Sequence, residues 1–263
     1  MKMFSRVVRF SVVVAFSTLL GCTIIPDKID PEAGVDSPAA INAKLGLTYL
    51  KHGKYEVSKA RLLKALKQDP NLFEAHHYIA LLYREIDQLD LAGKHYRRAV
   101  SLNPEDLVLK YNYAVFLCGV QKRYDNAVET FLALANDRNY SRPHEAYQNA
   151  GVCLARKPDY VRAEKYLRKA LELDERLPAA LFWLSRINFE NGKSLKARAF
   201  LQRYAVFAQH SAESLLLGYR LETALDDKEA ADEYANQLQQ MFPDSEELEL
   251  LRAASTQSSR GAE

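Results

Sequence analysis

Between about residues 38 and 250, apolar residues recur three and four positions apart, the period of amphipathic helices, and the segments are broken at near-regular intervals by Gly, Pro and Asp-Pro. A small residue marks every second segment: Gly46, Ala80, Ala114, Gly151, Ser185 and Gly218, separated by 34, 34, 37, 34 and 33 residues. A second small residue follows about a dozen positions later, at Ser58, Ala92, Ala127, Ala163, Ala197 and Ala230. Four residues beyond that stands a large apolar side chain: Leu62, Tyr96, Phe131, Leu167, Leu201 and Tyr234. The pattern predicts an all-α array of about six antiparallel helix pairs, in which the small residues allow close approach and the large one fills the space between helices.

Punctuation fits the same period. Asp69-Pro70 and Asn103-Pro104 stand 34 residues apart, and Gly53, Gly192 and Lys157-Pro158-Asp159 fall between paired helices. The third unit departs from it, with one extra residue in the turn Gly119 to Tyr124 and a polar stretch Asn136 to Arg142 before Pro143. Leu45-Gly46, Tyr49, Gly53, Tyr55, Ala65-Leu66 and Pro70, echoed by Ala99-Val100 and Pro104, resemble the tetratricopeptide (TPR) family. The resemblance implies a right-handed superhelical solenoid over residues 38–252, with repeats at about 39–72, 73–106, 107–143, 144–177, 178–210 and 211–246. The family's alanine late in the second helix is replaced by Tyr204 and Gln237 in the last two repeats, and the weakened sixth repeat reads as a terminal cap. Residues Ala253 to Glu263 carry no large apolar group and are expected to be disordered.

The N-terminus has a different pattern. Lys2, Arg6 and Arg9 precede an apolar run from Phe10 to Leu20, and no acidic residue occurs before Asp27. At 11 residues the run is too short for a permanent membrane span, which needs about 20, and it has the profile of a secretory signal over residues 1–21. Leu19-Leu20-Gly21-Cys22 resembles the lipobox of bacterial lipoproteins. That resemblance implies cleavage before Cys22, fatty acyl chains such as palmitate on it, and, since Thr23 and not Asp follows, the periplasmic face of the outer membrane. Residues 22–37, with Pro26, Pro31, Gly34 and four acidic groups, then form an extended tether.

Composition excludes more than it assigns. Removal of residues 1–21 leaves 33 Lys+Arg against 34 Asp+Glu, so no global field favours nucleic acid or anionic lipid. Cys118 and Cys153 lie on first helices of neighbouring repeats at different helical phases; a periplasmic disulfide is allowed, but both are read as small apolar core residues. Gly192-Lys193-Ser194 would need glycine at 187 to end a phosphate loop, and Ile187 stands there. His76 and His77 point about 100° apart on a helix, and the other histidines have no ligand-like partner at i+4, so no metal or cofactor is expected. No nucleophile or carboxylate pair is set off by its neighbours, and the chain is read as a binding protein and not an enzyme.

In TPR solenoids the first helix of each pair lines a concave groove. Its outward phase here gives Ala43, Leu47 and Leu50, then His77, Leu81 and Arg84, then Tyr111, Val115 and Cys118, a largely apolar half. Further on it gives Gln148, Val152 and Ala155, then Phe182, Arg186 and Phe189, then Leu215, Tyr219 and Glu222, which is more mixed. Such a strip suits an amphipathic helix or extended peptide, although the same side chains could equally pack helix against helix. Lipobox, acidic tether and six TPR units together resemble the PilF/PilW lipoproteins of type IV pilus systems, pilotins that deliver a secretin subunit to the outer membrane and help its ring assemble. A TPR lipoprotein serving β-barrel assembly or cell-wall hydrolases is the alternative of the same class. A periplasmic enzyme with a TPR accessory domain would have no residues left for its catalytic part.

Overall fold

The computed structural model describes the backbone of residues 37–260 and side chains as far as residue 253. Among the described residues there are thirteen helices and no strands. They fall into two compact units, one ending at Gln209 and one beginning at His210. The signal segment, Cys22 and the tether up to residue 36 lie outside the described residues.

The first unit is an α-helical repeat solenoid of five helix pairs: α1 (Pro38–Lys51) with α2 (Tyr55–Gln68), α3 (Phe73–Glu85) with α4 (Leu89–Leu102), α5 (Leu107–Gly119) with α6 (Tyr124–Asn136), α7 (Pro143–Arg156) with α8 (Tyr160–Leu173), and α9 (Pro178–Glu190) with α10 (Ser194–Phe207). Pro38, Pro143 and Pro178 open their helices, where a missing N–H costs nothing. Ser37 and Asp106 cap α1 and α5 by accepting from the Ala40 and Leu109 amides at 3.1 and 2.7 Å. Turns inside the pairs reverse direction through a left-handed residue: Gly53 (φ 68°), Asp87 (57°), Lys122 (53°) and Gly192 (71°).

The small-residue positions of paired helices meet. A Cβ on Gly46 would lie 2.5 Å from Leu62 Cγ, and one on Gly151 2.6 Å from Leu167 Cγ, so these glycines hold the close approach. Where serine replaces the small apolar residue, its hydroxyl donates across the same contact: Ser58 Oγ to the Gly46 carbonyl at 2.8 Å, and Ser185 Oγ to the Ala197 carbonyl at 2.9 Å. Ala80, Ala92, Ala114, Ala127, Ala163 and Ala197 are fully buried, as are Leu62, Tyr96, Phe131 and Leu167. Leu62, Phe131 and Leu167 each contribute about 1.5–3 kcal/mol of burial to the stack.

Cys118 on α5 and Cys153 on α7 are joined in a disulfide, with Cα atoms 5.8 Å apart. This corrects their reading as separate core residues. Side chains that touch across two neighbouring helices point towards each other, so they must differ in phase, and the difference that argued against a bridge is what permits it.

The second unit holds α11 (Ala212–Ala224), α12 (Lys228–Met241) and α13 (Glu246–Arg260). Its left-handed turn residue is Asp226 (φ 59°). Counted from that turn, the buried positions of α12 are Ala231 and Leu238, and the expected Ala230 and Gln237 are each one residue out. Gly218 stands one residue further from its turn than Ser185 does from Gly192, which carried the sequence period out of step. The close contact itself survives: a Cβ on Gly218 would lie 2.6 Å from the Tyr234 ring. The segment expected to be disordered from Ala253 continues α13 as helix to Arg260. Its first turns are docked by Leu248 and Leu251 against Leu215, Leu216 and Leu238, and a docked turn removes the nucleation cost that a polar helix alone would meet. No helix among the described residues is long and apolar enough to cross a membrane.

Candidate partner-binding face

The first-helix positions assigned to the groove are more enclosed than their phase implied. Leu47, Leu50 and Leu81 are buried, Leu81 to 1 % exposure, and Val152, Ala155 and Phe182 are buried further along. Arg84 and Val115 are half-buried. The strip is therefore largely packed between repeats, because first helices of successive pairs lie against one another, α1 on α3, α5 on α7 and α7 on α9.

His77 and Tyr111 are used in that packing. Asn112 Nδ2 donates to His77 Nε2 at 3.0 Å, and Asn149 Nδ2 donates to the Tyr111 hydroxyl at 2.7 Å. In both, a residue three before the small position of one repeat meets an asparagine two before the small position of the next. Burial pushes the His77 imidazole down to about 3, so it is neutral and carries its proton on Nδ1. Burial also raises the Tyr111 phenol. Tyr111 packs edge-on to Phe131 with centroids 5.6 Å apart. Cys118 is held by its disulfide, so it is no free anchor.

An opening remains at the turn end of the first two repeats. A cavity of about 350 Å³ is lined by Leu50 and Leu81 at its floor and by Lys51, Gly53, Tyr55, Arg84 and Glu85 around it. Arg84 and Glu85 form an ion pair on its rim. Tyr55, 39 % exposed, is presented by the turn that Gly53 reverses. An apolar floor within a charged and aromatic rim accepts one apolar side chain and orients the polar chain around it. Of the groove residues expected from sequence, Leu50, Leu81 and Arg84 meet in this cavity; Leu47, His77, Tyr111, Val115 and Cys118 do not line it. Lys51, Tyr55 and Glu85 lie outside the groove phase read from the sequence, in which Tyr55 belongs to the repeat motif at the turn.

Histidines in this half are paired without forming a metal centre. His76 Nε2 donates to the Pro70 carbonyl at 3.0 Å, which leaves its Nδ1 to accept from His95 Nδ1 at 2.9 Å. Burial holds His95 at about 4, so both rings are neutral near pH 7. The two are 19 residues apart on different helices, beyond the reach of an i+4 search. Among the described residues no group of three or more His, Cys, Asp or Glu side chains could hold a metal ion.

The tetratricopeptide repeat family model matches residues 43–106 and 119–178. The type IV pilus assembly protein PilF of Pseudomonas aeruginosa is 29% identical over 237 residues, covering 89% of this chain and 94% of that protein. The crystal structure of PilW, a widely conserved type IV pilus biogenesis factor, superposes with TM-score 0.75 at 31% identity, over 82% of this chain and 99% of PilW. A solved structure of P. aeruginosa PilF gives TM-score 0.71 at 28% identity, over 82% and 97% of the two chains. In repeat motif, length and fold alike, the chain belongs to the PilF/PilW-type family of tetratricopeptide repeat proteins.

Proposed function

We propose that this protein is a lipid-anchored protein of the outer membrane that acts in type IV pilus biogenesis by binding a secretin subunit and promoting its localisation and multimer assembly. The observation that carries the proposal is the near end-to-end likeness to PilF and PilW, 94% and 99% of whose chains are covered. In this function the chain binds and does not catalyse. Its anchor is Cys22, and its contact is the Leu50–Leu81 cavity, where an apolar secretin side chain is buried while Arg84, Glu85 and Tyr55 engage the flanking backbone.

Membrane fractionation with fatty-acid labelling, followed by mild crosslinking and pulldown from outer membranes, tests it. Label and outer-membrane location should be lost in Cys22→Ala, and the secretin should be the crosslinked product of the parent. Recovery of β-barrel assembly factors or cell-wall hydrolases without secretin would replace this function with the scaffold alternative.

A further inference from the structure

In most repeats the third residue after the turn is acidic: Glu56, Asp90, Asp125 and, in the second unit, Glu229 lie in the first turns of α2, α4, α6 and α12. A carboxylate there stabilises the positive end of the helix. The fourth and fifth repeats give this up. α8 and α10 have no acidic first-turn residue, and in its place stand Val161 and Leu195, 85% and 71% exposed. Two neighbouring repeats thus display an aliphatic tip at the position where the others carry a carboxylate, and α8 is capped instead by Asp159, which accepts from the Arg162 amide at 3.2 Å.

The charge around these tips is basic on α10 and mixed on α8, where the Asp159 cap pairs with Arg162 at 3.4 Å. α10 contains Lys196, Arg198 and Arg203 and no carboxylate, and its exposed face also carries Val206, 74% exposed, and Phe207, 40% exposed. α8 contributes Arg162, Lys165, Arg168 and Lys169 against Glu164 and Glu172, and Glu164 is engaged by Arg168 at 2.7 Å. The Arg168 guanidinium lies 5.4 Å from the Phe200 ring centroid, which joins the α8 charges to the α10 face. A cleft of about 530 Å³ opens beside Val161, lined by Tyr160, Lys165, Arg168, Lys193 and the one carboxylate Glu164, which Arg168 engages.

We propose that the α8–α10 face is a docking surface for an anionic phospholipid bilayer. Val161, Leu195 and Val206 enter the headgroup region, the lysines and arginines meet lipid phosphates, and the cleft beside Val161 admits a headgroup. An acidic protein would complement the charge, but it would leave fully projecting aliphatic tips in water; a bilayer surface takes both. Neither the lipid on Cys22 nor the secretin contact enters this inference, so it stands or falls separately from the proposed function.

The test uses the chain from Thr23 onward, which keeps all thirteen helices and has no acyl chain, sedimented with vesicles of phosphatidylethanolamine and phosphatidylglycerol or of phosphatidylcholine alone. The parent should bind the anionic vesicles preferentially and release them in high salt. Val161→Asp with Leu195→Asp restores the first-turn acids of the other repeats, so melting temperature should hold or rise while vesicle binding falls roughly tenfold. Equal binding to both vesicle types, no binding to either, or undiminished binding by the folded double variant would overturn the proposal. A parent that self-associates in sedimentation velocity, with a monomeric double variant, would overturn it in favour of a protein interface.

Discussion

Asn112 Nδ2 lies 3.0 Å from His77 Nε2, and this bond joins the first helix of the second repeat to that of the third inside a buried face. The acceptor nitrogen must stay unprotonated for the bond to exist. A neutral histidine is thus part of how two repeats are held in register.

Acid should loosen the stack. Above the unfolded-state value near 6.5 neither state of His77 takes up a proton, and stability has its full value. As pH falls from there towards about 3, the unfolded chain is protonated and the folded one is not, so stability declines through that window and levels off below it. His77 alone should contribute a loss of about 2 kcal/mol between pH 7 and pH 5. Urea titrations at the two pH values measure it. His77→Gln, which keeps an acceptor for Asn112, should flatten the dependence; an unchanged slope in that variant would assign the effect to His76, His95 or His210, whose imidazoles burial also depresses.

Reduction should have a larger effect. The Cys118–Cys153 bridge closes a loop with a sequence separation of 35, and a loop of that length restricts the unfolded chain by about 3–4 kcal/mol. Cys118→Ser, or the parent in dithiothreitol, should be less stable by that amount in urea titrations, with little loss of helical circular dichroism below the transition. If the two treatments were additive, the thiols would not be paired with each other.

These two features were hidden from the sequence for one reason. Periodicity reports which face of its own helix a residue occupies, and it places Gly46, Ala92, Ala163 and Ala197 in contacts that the folded chain makes. It does not report what the neighbouring helix presents in return. His77 and Tyr111 were assigned to a groove because their phase was right, while their partners Asn112 and Asn149 sat at a phase that no single-helix pattern marks. The slip from Ala231 to Ala230 has another origin: one residue between Gly218 and Asp226 accumulates unseen when a period is counted across a turn. Order beyond Ala253 depends on the docking of Leu248, a tertiary contact that composition does not contain.

Gly151→Ala sets helix propensity against packing. Alanine should gain up to about 1 kcal/mol in a helix interior. The new methyl would meet Leu167 Cγ at 2.6 Å and the Leu167 backbone nitrogen at 3.1 Å, and the backbone cannot move aside as a side chain can. Overpacking of this kind costs about 1–3 kcal/mol, so the variant should be destabilised on balance. A melting temperature equal to or above the parent's would mean that α7 and α8 can separate without cost, and that the small-residue period does not report their contact.

The floor of the cavity and its rim should respond differently to substitution. Leu81 is 1% exposed, so Leu81→Glu would place an unpaired carboxylate among apolar side chains and cost roughly 3–5 kcal/mol of stability before any partner is present. A loss of secretin assembly in that variant would therefore say nothing about binding. Tyr55 is 39% exposed and Arg84 lies on the rim, so Tyr55→Ala with Arg84→Gln should keep the parent's melting temperature to within a few degrees. If the cavity receives a secretin side chain, removal of an aromatic and a guanidinium from its edge should weaken capture of the secretin roughly tenfold to a hundredfold, the range of an interface hot spot. Circular dichroism melts and titration of the purified secretin segment measure the two quantities side by side. A double variant that melts like the parent and binds like the parent would move the contact away from the first two repeats.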